Sequence, residues 1–165
     1  MMETDGNRKT HNTSITVITY GTFDLFHVGH LNLLSRLKSL GDRLIVGVST
    51  DEFNESKGKS TIIPFSDRSK IVSSIKHVDL VIPESTWNQK SEDIRKYKVD
   101  ILGMGNDWQG KFDDLSSLCK VVYLPRTDGI SSTKIKKILS TVDIDQIQNL
   151  KKALDLMSSI IEKLE

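Results

Sequence analysis

Two histidines, His27 and His30, stand three residues apart in the stretch GTFDLFHVGH at residues 21–30. Two imidazoles at this spacing could ligate a metal ion, pack in a core or contact a phosphate group. A zinc site is disfavoured, because zinc normally takes three or four protein ligands and the chain has only two further histidines and one cysteine. A core position is disfavoured as well, because each imidazole at a glycine-containing turn would need a buried hydrogen-bonding partner.

Phosphate binding makes use of most residues in this stretch. A helix that begins near the end of this stretch would offer unpaired N–H groups and a partial positive charge, and both attract anions. Gly21 and Gly29 would allow the backbone to come close to a bound phosphate. We therefore interpret His27 and His30 as hydrogen-bond donors to phosphate oxygens that gain charge in a transition state.

A second stretch, RTDGISSTKIK at residues 126–136, carries related chemistry. It combines the planar guanidinium of Arg126 with several hydroxyl groups at a predicted helix start, which is typical of a phosphate clamp. The alternative is that Ser131 or Ser132 only caps the helix and that the lysines after it lie on a solvated face. For the lysines we favour the solvated face.

The elements that would position these stretches alternate between β-branched runs and helix-like segments. Predicted strands cover residues 15–20, 43–49, 80–82, 101–104 and 121–124, and predicted helices cover residues 31–40, 67–76, 91–97 and 113–119, with a further helix that opens at Ser131 or Ser132. Five strands separated by helices predict an α/β fold, with a doubly wound parallel sheet covered on both faces. Ligands of such sheets lie at the carboxyl ends of the strands, where GTFDLFHVGH begins.

The length of 165 residues fits one domain of ordinary size. We divide the chain into a flexible tail at residues 1–14, a main domain at residues 15–140 and a C-terminal helix at residues 141–165. We expect no role for His11 in the tail. Six apolar residues of the C-terminal helix follow a heptad spacing: Ile147, Leu150, Leu154, Met157, Ile161 and Leu164. This helix could fold back on its own domain or pair with the same helix of another subunit.

The composition excludes several classes of protein. The 23 basic and 22 acidic side chains nearly balance, and no basic stripe alternates with aromatic residues, so nucleic-acid binding is disfavoured. No apolar run approaches the length of about 18 residues that a membrane span needs, and the first residues lack the apolar centre of a secretory signal. Cys119 is the single cysteine and cannot form an internal disulfide, which favours a cytoplasmic location.

Both stretches together resemble the nucleotidyltransferase superfamily that is marked by an HxGH loop and a later ISST or ISTT loop. Within it, the chain is more closely similar to the glycerol-3-phosphate cytidylyltransferase family. The similar segments run in the family's order over about residues 15–139: YGTFDLFHVGH, STDEFN, KGK, DRSK, VIPE, Trp87 with Lys90, MGNDWQGKFD and VVYLPRTDGISSTKIK. The resemblance implies a Rossmann-like HxGH nucleotidyltransferase fold with a five-stranded parallel sheet.

The resemblance also implies a reaction in which CTP and glycerol 3-phosphate give CDP-glycerol and pyrophosphate. The acceptor's phosphate oxygen would attack the α-phosphorus of CTP in line, without a covalent enzyme intermediate. Mg2+ would assist and would be bound mainly through the phosphates of CTP, so no protein residue is expected to ligate a metal. Asp24 would hold its loop in shape rather than act as a base, because the attacking phosphate is already ionised.

Residue roles follow from the same resemblance. The implied catalytic residues are His27, His30, Lys59 and Arg126. The implied nucleotide-binding residues are these four together with Gly21, Thr22, Phe23, Asp107, Thr127, Gly129, Ile130, Ser131, Ser132 and Thr133. The implied acceptor-binding residues are Lys57, Arg68, Trp87 and Lys90. Asn106 departs from the acidic residue that is usual in the family, which removes one negative charge near the nucleotide.

Other acceptors and another nucleotide stay open at this point. The same loops could serve phosphoethanolamine, phosphocholine or another polyol phosphate, or ATP in place of CTP. A choline-type acceptor would need an aromatic cage, for which Trp87 and Trp108 are thin support. A nucleotide-binding sensor without catalysis is the alternative from another class. The family implies a homodimer and a product that serves cell-wall or capsule polymers in bacteria, and nothing in the residues selects a pathway.

Overall fold

The structure is a computed structural model that describes residues 14–140 and 144–161. The predicted tail, apart from Ser14, lies outside the described residues, and so do His11, residues 141–143 and the heptad residue Leu164. The chain forms two compact units, and the division falls between Asp128 and Gly129.

A five-stranded parallel sheet forms the centre of the first unit. Its strands are β1 (Thr16–Gly21), β2 (Arg43–Ser49), β3 (Leu80–Glu84), β4 (Ile101–Gly105) and β5 (Lys120–Leu124). The strands lie in the order β3-β2-β1-β4-β5, and every neighbouring pair is parallel. The strand order reverses between β1 and β4, and ligands of doubly wound sheets bind at the carboxyl ends beside this reversal. The predicted α/β, Rossmann-like fold is confirmed.

The helices match the predicted alternation with local differences. They are α1 (Val28–Lys38), α2 (Asp51–Ser56), α3 (Phe65–Ser73), α4 (Gln89–Lys96), α5 (Ser132–Ser140) and α6 (Ile144–Ile161), with 3-10 helices at Asn106–Trp108 and Asp113–Ser117. The sequence did not predict α2, which is too short to show a helical period. The predicted helix at residues 113–119 is the second 3-10 helix. β3 continues through Pro83, because an edge strand tolerates a residue without an N–H group.

Apolar residues cover both faces of the sheet, because successive residues of a strand point to opposite sides. On β1, Val17 packs in a cluster with Leu34 and Leu37 of α1. The next residue, Ile18, packs in a separate cluster with Ile94 of α4. The two clusters therefore lie on opposite faces, as predicted for parallel strands joined by helical crossovers.

The second unit contains α5 and α6. The predicted C-terminal helix is present as α6, and its heptad residues Leu154 and Met157 are exposed, with relative accessibilities of 56% and 60%. Exposed apolar residues at this spacing are compatible with a helix that pairs with another copy. That pairing stays a prediction.

The seating of α1 on the sheet can be tested through Leu37, which is fully buried. A Cβ atom added to Gly103 would lie 2.1 Å from Cδ2 of Leu37, so this leucine lies directly against β4. We expect Leu37→Ala to lower the free energy of unfolding by about 3 kcal/mol, because the cavity cannot fully collapse. Urea denaturation measures the loss. Leu31→Ala, at a partly exposed position of the same helix, should cost less than about 1 kcal/mol, and equal losses would contradict this packing.

Candidate active site

The loop between β1 and α1 places both histidines at the first turn of α1. His27 is the N-cap residue, and its Nδ1 accepts a hydrogen bond from the backbone N–H of Gly29 at 3.0 Å. Nδ1 of His30 accepts in turn from the backbone N–H of His27 at 3.4 Å. The two residues form a reciprocal capping box. Their rings stack with centroids 3.9 Å apart, so the helix start and the imidazole pair are one arrangement.

This arrangement keeps both imidazoles neutral near pH 7. Burial lowers the pKa of His30 to about 4, and repulsion by His27 adds to the shift. Burial also lowers the pKa of His27. Because each Nδ1 accepts a hydrogen bond, the single proton of each neutral ring lies on Nε2. Each ring therefore carries an Nε2–H donor suited to a phosphate oxygen.

The loop before the histidines holds an unusual backbone conformation. Phe23 and Leu25 have φ angles of 53° and 49°, in the left-handed region that side chains rarely adopt. Asp24 between them is buried, and its carboxylate accepts hydrogen bonds from the backbone N–H groups of Leu25, Ile62 and Ile63. These bonds fix the strained loop. Asp24 thus holds the loop in shape, as the sequence predicted.

Gly21 and Thr22 connect this loop to its surroundings. A Cβ atom on Gly21 would lie 2.9 Å from the ring of Phe23, so a side chain here would push against that ring. The hydroxyl of Thr22 donates to Oδ1 of Asn54 at 2.9 Å. The Nδ2 group of Asn54 donates to the carbonyl of Ser49 at 3.3 Å, which ties the loop to the end of β2.

Arg68 lies beneath the same loop with a relative accessibility of 1%. Its guanidinium donates to the carbonyl oxygens of Thr22, Ser49 and Ile63, and to Oδ1 of Asp51 at 2.6 Å. The family resemblance implied a role in acceptor binding for Arg68, as a partner of a phosphate group. In the structure its donors are used by backbone carbonyls and one carboxylate, because the ends of β1 and β2 meet around it. These four bonds use four of the five N–H donors of the guanidinium, so at most one is left for a contact with the acceptor.

Four polar residues form a buried chain of hydrogen bonds at the ends of β2 and β3, and we name it the lysine–glutamate cluster: Ser49, Lys57, Glu84 and Lys90. The ammonium of Lys90 donates to Oε1 of Glu84 at 2.5 Å, and the hydroxyl of Ser49 donates to Oε2 at 2.5 Å. The ammonium of Lys57 donates to Oγ of Ser49 at 3.0 Å and lies 3.9 Å from Oε2 of Glu84. Glu84 and Lys90 are 3% and 2% exposed.

Aromatic rings surround the two ammonium groups of this cluster. Nζ of Lys57 lies 4.0 Å from the ring centroid of Phe53, and Nζ of Lys90 lies 4.5 Å from that of Tyr20. The half-exposed ring of Trp87 is within 5.5 Å of both ammonium groups. The structure thus brings together Lys57, Trp87 and Lys90, three of the four predicted acceptor residues.

Lys59 and Asp107 are two predicted nucleotide-site residues at the 3-10 helix Asn106–Trp108. Nζ of Lys59 is 5.5 Å from the ring centroid of Trp108. Asp107 stands in the 3-10 helix after β4 and forms an ion pair with Arg126, which follows β5. Both partners of this pair are substantially exposed. Two predicted nucleotide residues are therefore in contact, in a position that solvent reaches.

Thr127 links the segment after β5 to the helix that carries the histidines. Its Oγ1 accepts hydrogen bonds from Nδ2 of Asn32 at 3.3 Å and from Nη2 of Arg36 at 3.1 Å. Nη1 of Arg36 also donates to the carbonyl of Pro125 at 3.0 Å. The side chains of α1 thus hold the segment that presents Arg126.

The remaining predicted residues, Gly129, Ile130, Ser131, Ser132 and Thr133, belong to the second unit. Gly129 has a φ of 84°, a conformation that favours glycine. Oγ of Ser131 accepts from the backbone N–H of Lys134 at 3.1 Å, so Ser131 caps α5. The capping role that the sequence left open is present, and the phosphate contacts of these residues stay predictions.

Sequence reasoning assigned no role to Ser49 or Glu84, although both stand in segments that carry the family resemblance. Both are the last residues of their strands, and register pairs them directly across β2 and β3. A polar residue that closes an apolar strand at the ligand-binding edge of a parallel sheet was the available signal. It was missed at Glu84 because the predicted strand stopped before Pro83.

Comparison with known proteins identifies the family. Residues 18–144 match the family model described as cytidylyltransferase-like. The chain belongs to the cytidylyltransferase-like family. It is 54% identical to the glycerol-3-phosphate cytidylyltransferase of Staphylococcus aureus (strain NCTC 8325 / PS 47), over 74% of this chain and 93% of that protein. It is 56% identical to the glycerol-3-phosphate cytidylyltransferase of Bacillus subtilis (strain 168), over 73% of this chain and 94% of that protein.

A solved structure is similar to this chain in fold and sequence. The crystal structure of the lipopolysaccharide core biosynthesis protein from Thermoplasma volcanium GSS1 superposes with a TM-score of 0.60 at 30% sequence identity. It matches over 70% of this chain and 99% of the other.

Among residues 14–140 and 144–161, no helix is long and apolar enough to cross a membrane.

The low pKa of His30 makes stability depend on pH. An unfolded chain binds a proton at this imidazole near pH 6.5, whereas the folded chain does so only near pH 4. Folding stability should therefore fall as the pH drops from about 6.5 towards 4, because the unfolded state gains the proton first. Urea denaturation across this range should show a shallower fall for His30→Gln, which keeps a hydrogen-bond acceptor at the capping position. His77→Gln is the control, and parallel curves for wild type and His30→Gln would contradict the shift.

Proposed function

We propose that this chain transfers the CMP group of CTP to glycerol 3-phosphate and so gives CDP-glycerol and pyrophosphate. The choice of substrates rests on the 54% and 56% identity to two glycerol-3-phosphate cytidylyltransferases, over nearly the whole length of each. The site supports the chemistry. Neutral imidazole donors stand at a helix start beside the strand-order reversal, and lysines stand one strand away.

The reaction needs placement and charge stabilisation more than proton transfer. An oxygen of the acceptor's phosphate forms a bond to the α-phosphorus of CTP while the bond from that phosphorus to pyrophosphate breaks. The attacking oxygen is already ionised near neutral pH, so no general base is required. The Nε2–H groups of His27 and His30 would donate to the α-phosphate oxygens as charge grows on them. Lys59 and Arg126 would hold the departing phosphates.

The lysine–glutamate cluster would hold the acceptor's phosphate. It carries two ammonium groups against one carboxylate, and Asp93, another buried carboxylate, accepts from Tyr20 and Gln89 instead. The surplus positive charge suits an anion. A choline or ethanolamine acceptor is less suited, because the ammonium groups of Lys57 and Lys90 lie within 5.5 Å of the ring centroid of Trp87 and would repel a cation that stacked on this ring.

Mg2+ is part of the proposal. Within the described part of the chain, no three histidine, cysteine, aspartate or glutamate side chains are grouped so that they could hold a metal ion. Mg2+ needs no such cage when substrate phosphates supply its oxygen ligands, and we expect the ion to be carried mainly by CTP. Bound there, it would neutralise charge on the phosphates.

Assembly and location complete the proposal. We expect a homodimer, as the family resemblance implies, with α6 as a possible addition to the interface. The single cysteine favours the cytoplasm. The product would serve a class of reaction that adds glycerol phosphate units to a wall or capsule polymer.

A turnover panel tests the substrates. CTP and ATP are each combined with glycerol 3-phosphate, ribitol phosphate, phosphoethanolamine and phosphocholine, and pyrophosphate release is measured with Mg2+ present. We expect the fastest release from CTP with glycerol 3-phosphate. Turnover with ATP but not CTP would overturn the nucleotide. Binding of CTP without pyrophosphate release from any acceptor would favour a nucleotide-binding sensor.

The histidine roles are tested by variants that preserve the helix start. His27→Asn keeps a capping side chain and His30→Gln keeps a capping-box partner, so we expect both to remain folded. Each removes one Nε2–H donor and should lower turnover by roughly a hundred-fold or more. Steady-state kinetics measures the change, and circular dichroism checks the fold. Near-normal turnover of either variant would refute the role of that histidine.

A further inference from the structure

Glu84 is a buried carboxylate in a place that should favour an anionic ligand. On electrostatic grounds alone, a negative charge beside the acceptor's phosphate would weaken binding. Yet its side chain is almost fully enclosed, and both carboxylate oxygens are used, one by Lys90 and one by Ser49. A buried charge of this kind is costly unless it is paired. Its presence needs a reason within the site.

The charges that face Glu84 supply that reason. Lys57 and Lys90 are within 4 Å of it, and Lys59 and Arg68 add positive charge near Lys57. Asp93, another buried carboxylate, accepts hydrogen bonds from Tyr20 and Gln89. Burial lowers the pKa of Lys57 most, and the neighbouring cations lower it further, whereas the carboxylate of Glu84 raises it. Without Glu84, the lysines would repel one another in a poorly solvated space.

The hydrogen bonds within the cluster use only part of the donors of each lysine, so that others remain for a ligand. Lys90 bonds to Glu84 directly, whereas Lys57 is held through the hydroxyl of Ser49. An ammonium has three N–H donors. In the described residues each lysine gives one hydrogen bond within the cluster, and Glu84 fixes the direction of both.

We propose that Glu84 is a positioning residue of the acceptor site, which holds Lys57 and Lys90 in place as two charged donors for the acceptor's phosphate. Ser49 is the relay between Glu84 and Lys57. This inference rests on the proposed function for the identity of the acceptor. It assigns to Glu84 and Ser49 a task that neither performs by touching the substrate.

The test compares Glu84→Gln, which keeps the shape and removes the charge, with the wild type. Calorimetry measures binding of glycerol 3-phosphate alone, of inorganic phosphate and of CTP. We expect Glu84→Gln to bind glycerol 3-phosphate about tenfold more weakly, as for the loss of one charged hydrogen bond, with CTP binding nearly unchanged. In kinetics, the KM for the acceptor should rise more than kcat falls.

The pH dependence separates positioning from a general loss of structure. Removal of the Glu84 charge lowers the pKa of Lys57, so this lysine loses its proton at a lower pH than in the wild type. The weakening should therefore be larger near pH 9 than near pH 7. Glu84→Asp keeps the charge and should restore part of the affinity and the wild-type pH profile.

Asp93→Asn is the matched control, because Asp93 is also a buried carboxylate of this region but bonds to Tyr20 and Gln89. It should leave the acceptor affinity within about twofold, since it removes no bond to a lysine. Equal weakening in Asp93→Asn and Glu84→Gln would show a structural effect and overturn the inference. Unchanged or tighter acceptor binding in Glu84→Gln would overturn it as well, because Glu84 would then only repel the phosphate.

Two further arms keep the result decisive. If Glu84→Gln does not fold, Ser49→Ala decides, and an acceptor affinity that Ser49→Ala leaves unchanged overturns the inference. A wild type that binds neither glycerol 3-phosphate nor inorganic phosphate overturns it too. The proposed function fails separately, when the wild type releases no pyrophosphate from CTP with glycerol 3-phosphate. Turnover with unchanged acceptor binding in the variants would spare the function and reject the role of Glu84.

Discussion

The buried guanidinium of Arg68 is the constraint on which the arrangement of the first unit's site depends. It binds carbonyl oxygens from the end of β1, the end of β2 and the segment before α3, and it pairs with Asp51 at the start of α2. Parallel strands leave such carbonyls without partners where the chain departs from the sheet. A planar group with five donors can satisfy several of them at once. Arg68 thus holds together the segments from which the loops with the histidines and the lysines begin.

At the start of α1, side chains of the site likewise satisfy backbone groups of the fold. A helix start leaves backbone N–H groups that need acceptors, and serine, threonine or aspartate usually supplies them. Here His27 and His30 supply the acceptors through Nδ1. The capping bonds set the ring orientation and place the proton on Nε2. The same hydrogen bonds therefore cap the helix and place the Nε2 protons for phosphate binding. The loss of either histidine affects both.

Features that depend on a local residue pattern could be predicted from the sequence. β-branched runs, glycine stops and the HxGH turn are short-range signals, and they predicted the five strands and the place of the histidines. The sequence could not show which cations face a substrate, because that depends on contacts between distant segments. Arg68 was assigned to the acceptor through the family resemblance, and the fold encloses it. Glu84 pairs with Ser49 across two strands, a register that no local pattern encodes.

In the proposed reaction the site would divide its donors by the kind of charge that they meet. Phosphates of the acceptor and of CTP carry their charge before the reaction begins, and the cationic side chains of Lys57 and Arg126 would match that charge in the ground state. Charge on the α-phosphate oxygens grows only as the reaction proceeds. A donor accelerates the step only to the extent that it binds the transition state more strongly than the ground state. A neutral Nε2–H group attracts the ground state less than an imidazolium would, so the low pKa of the stacked histidines favours this difference.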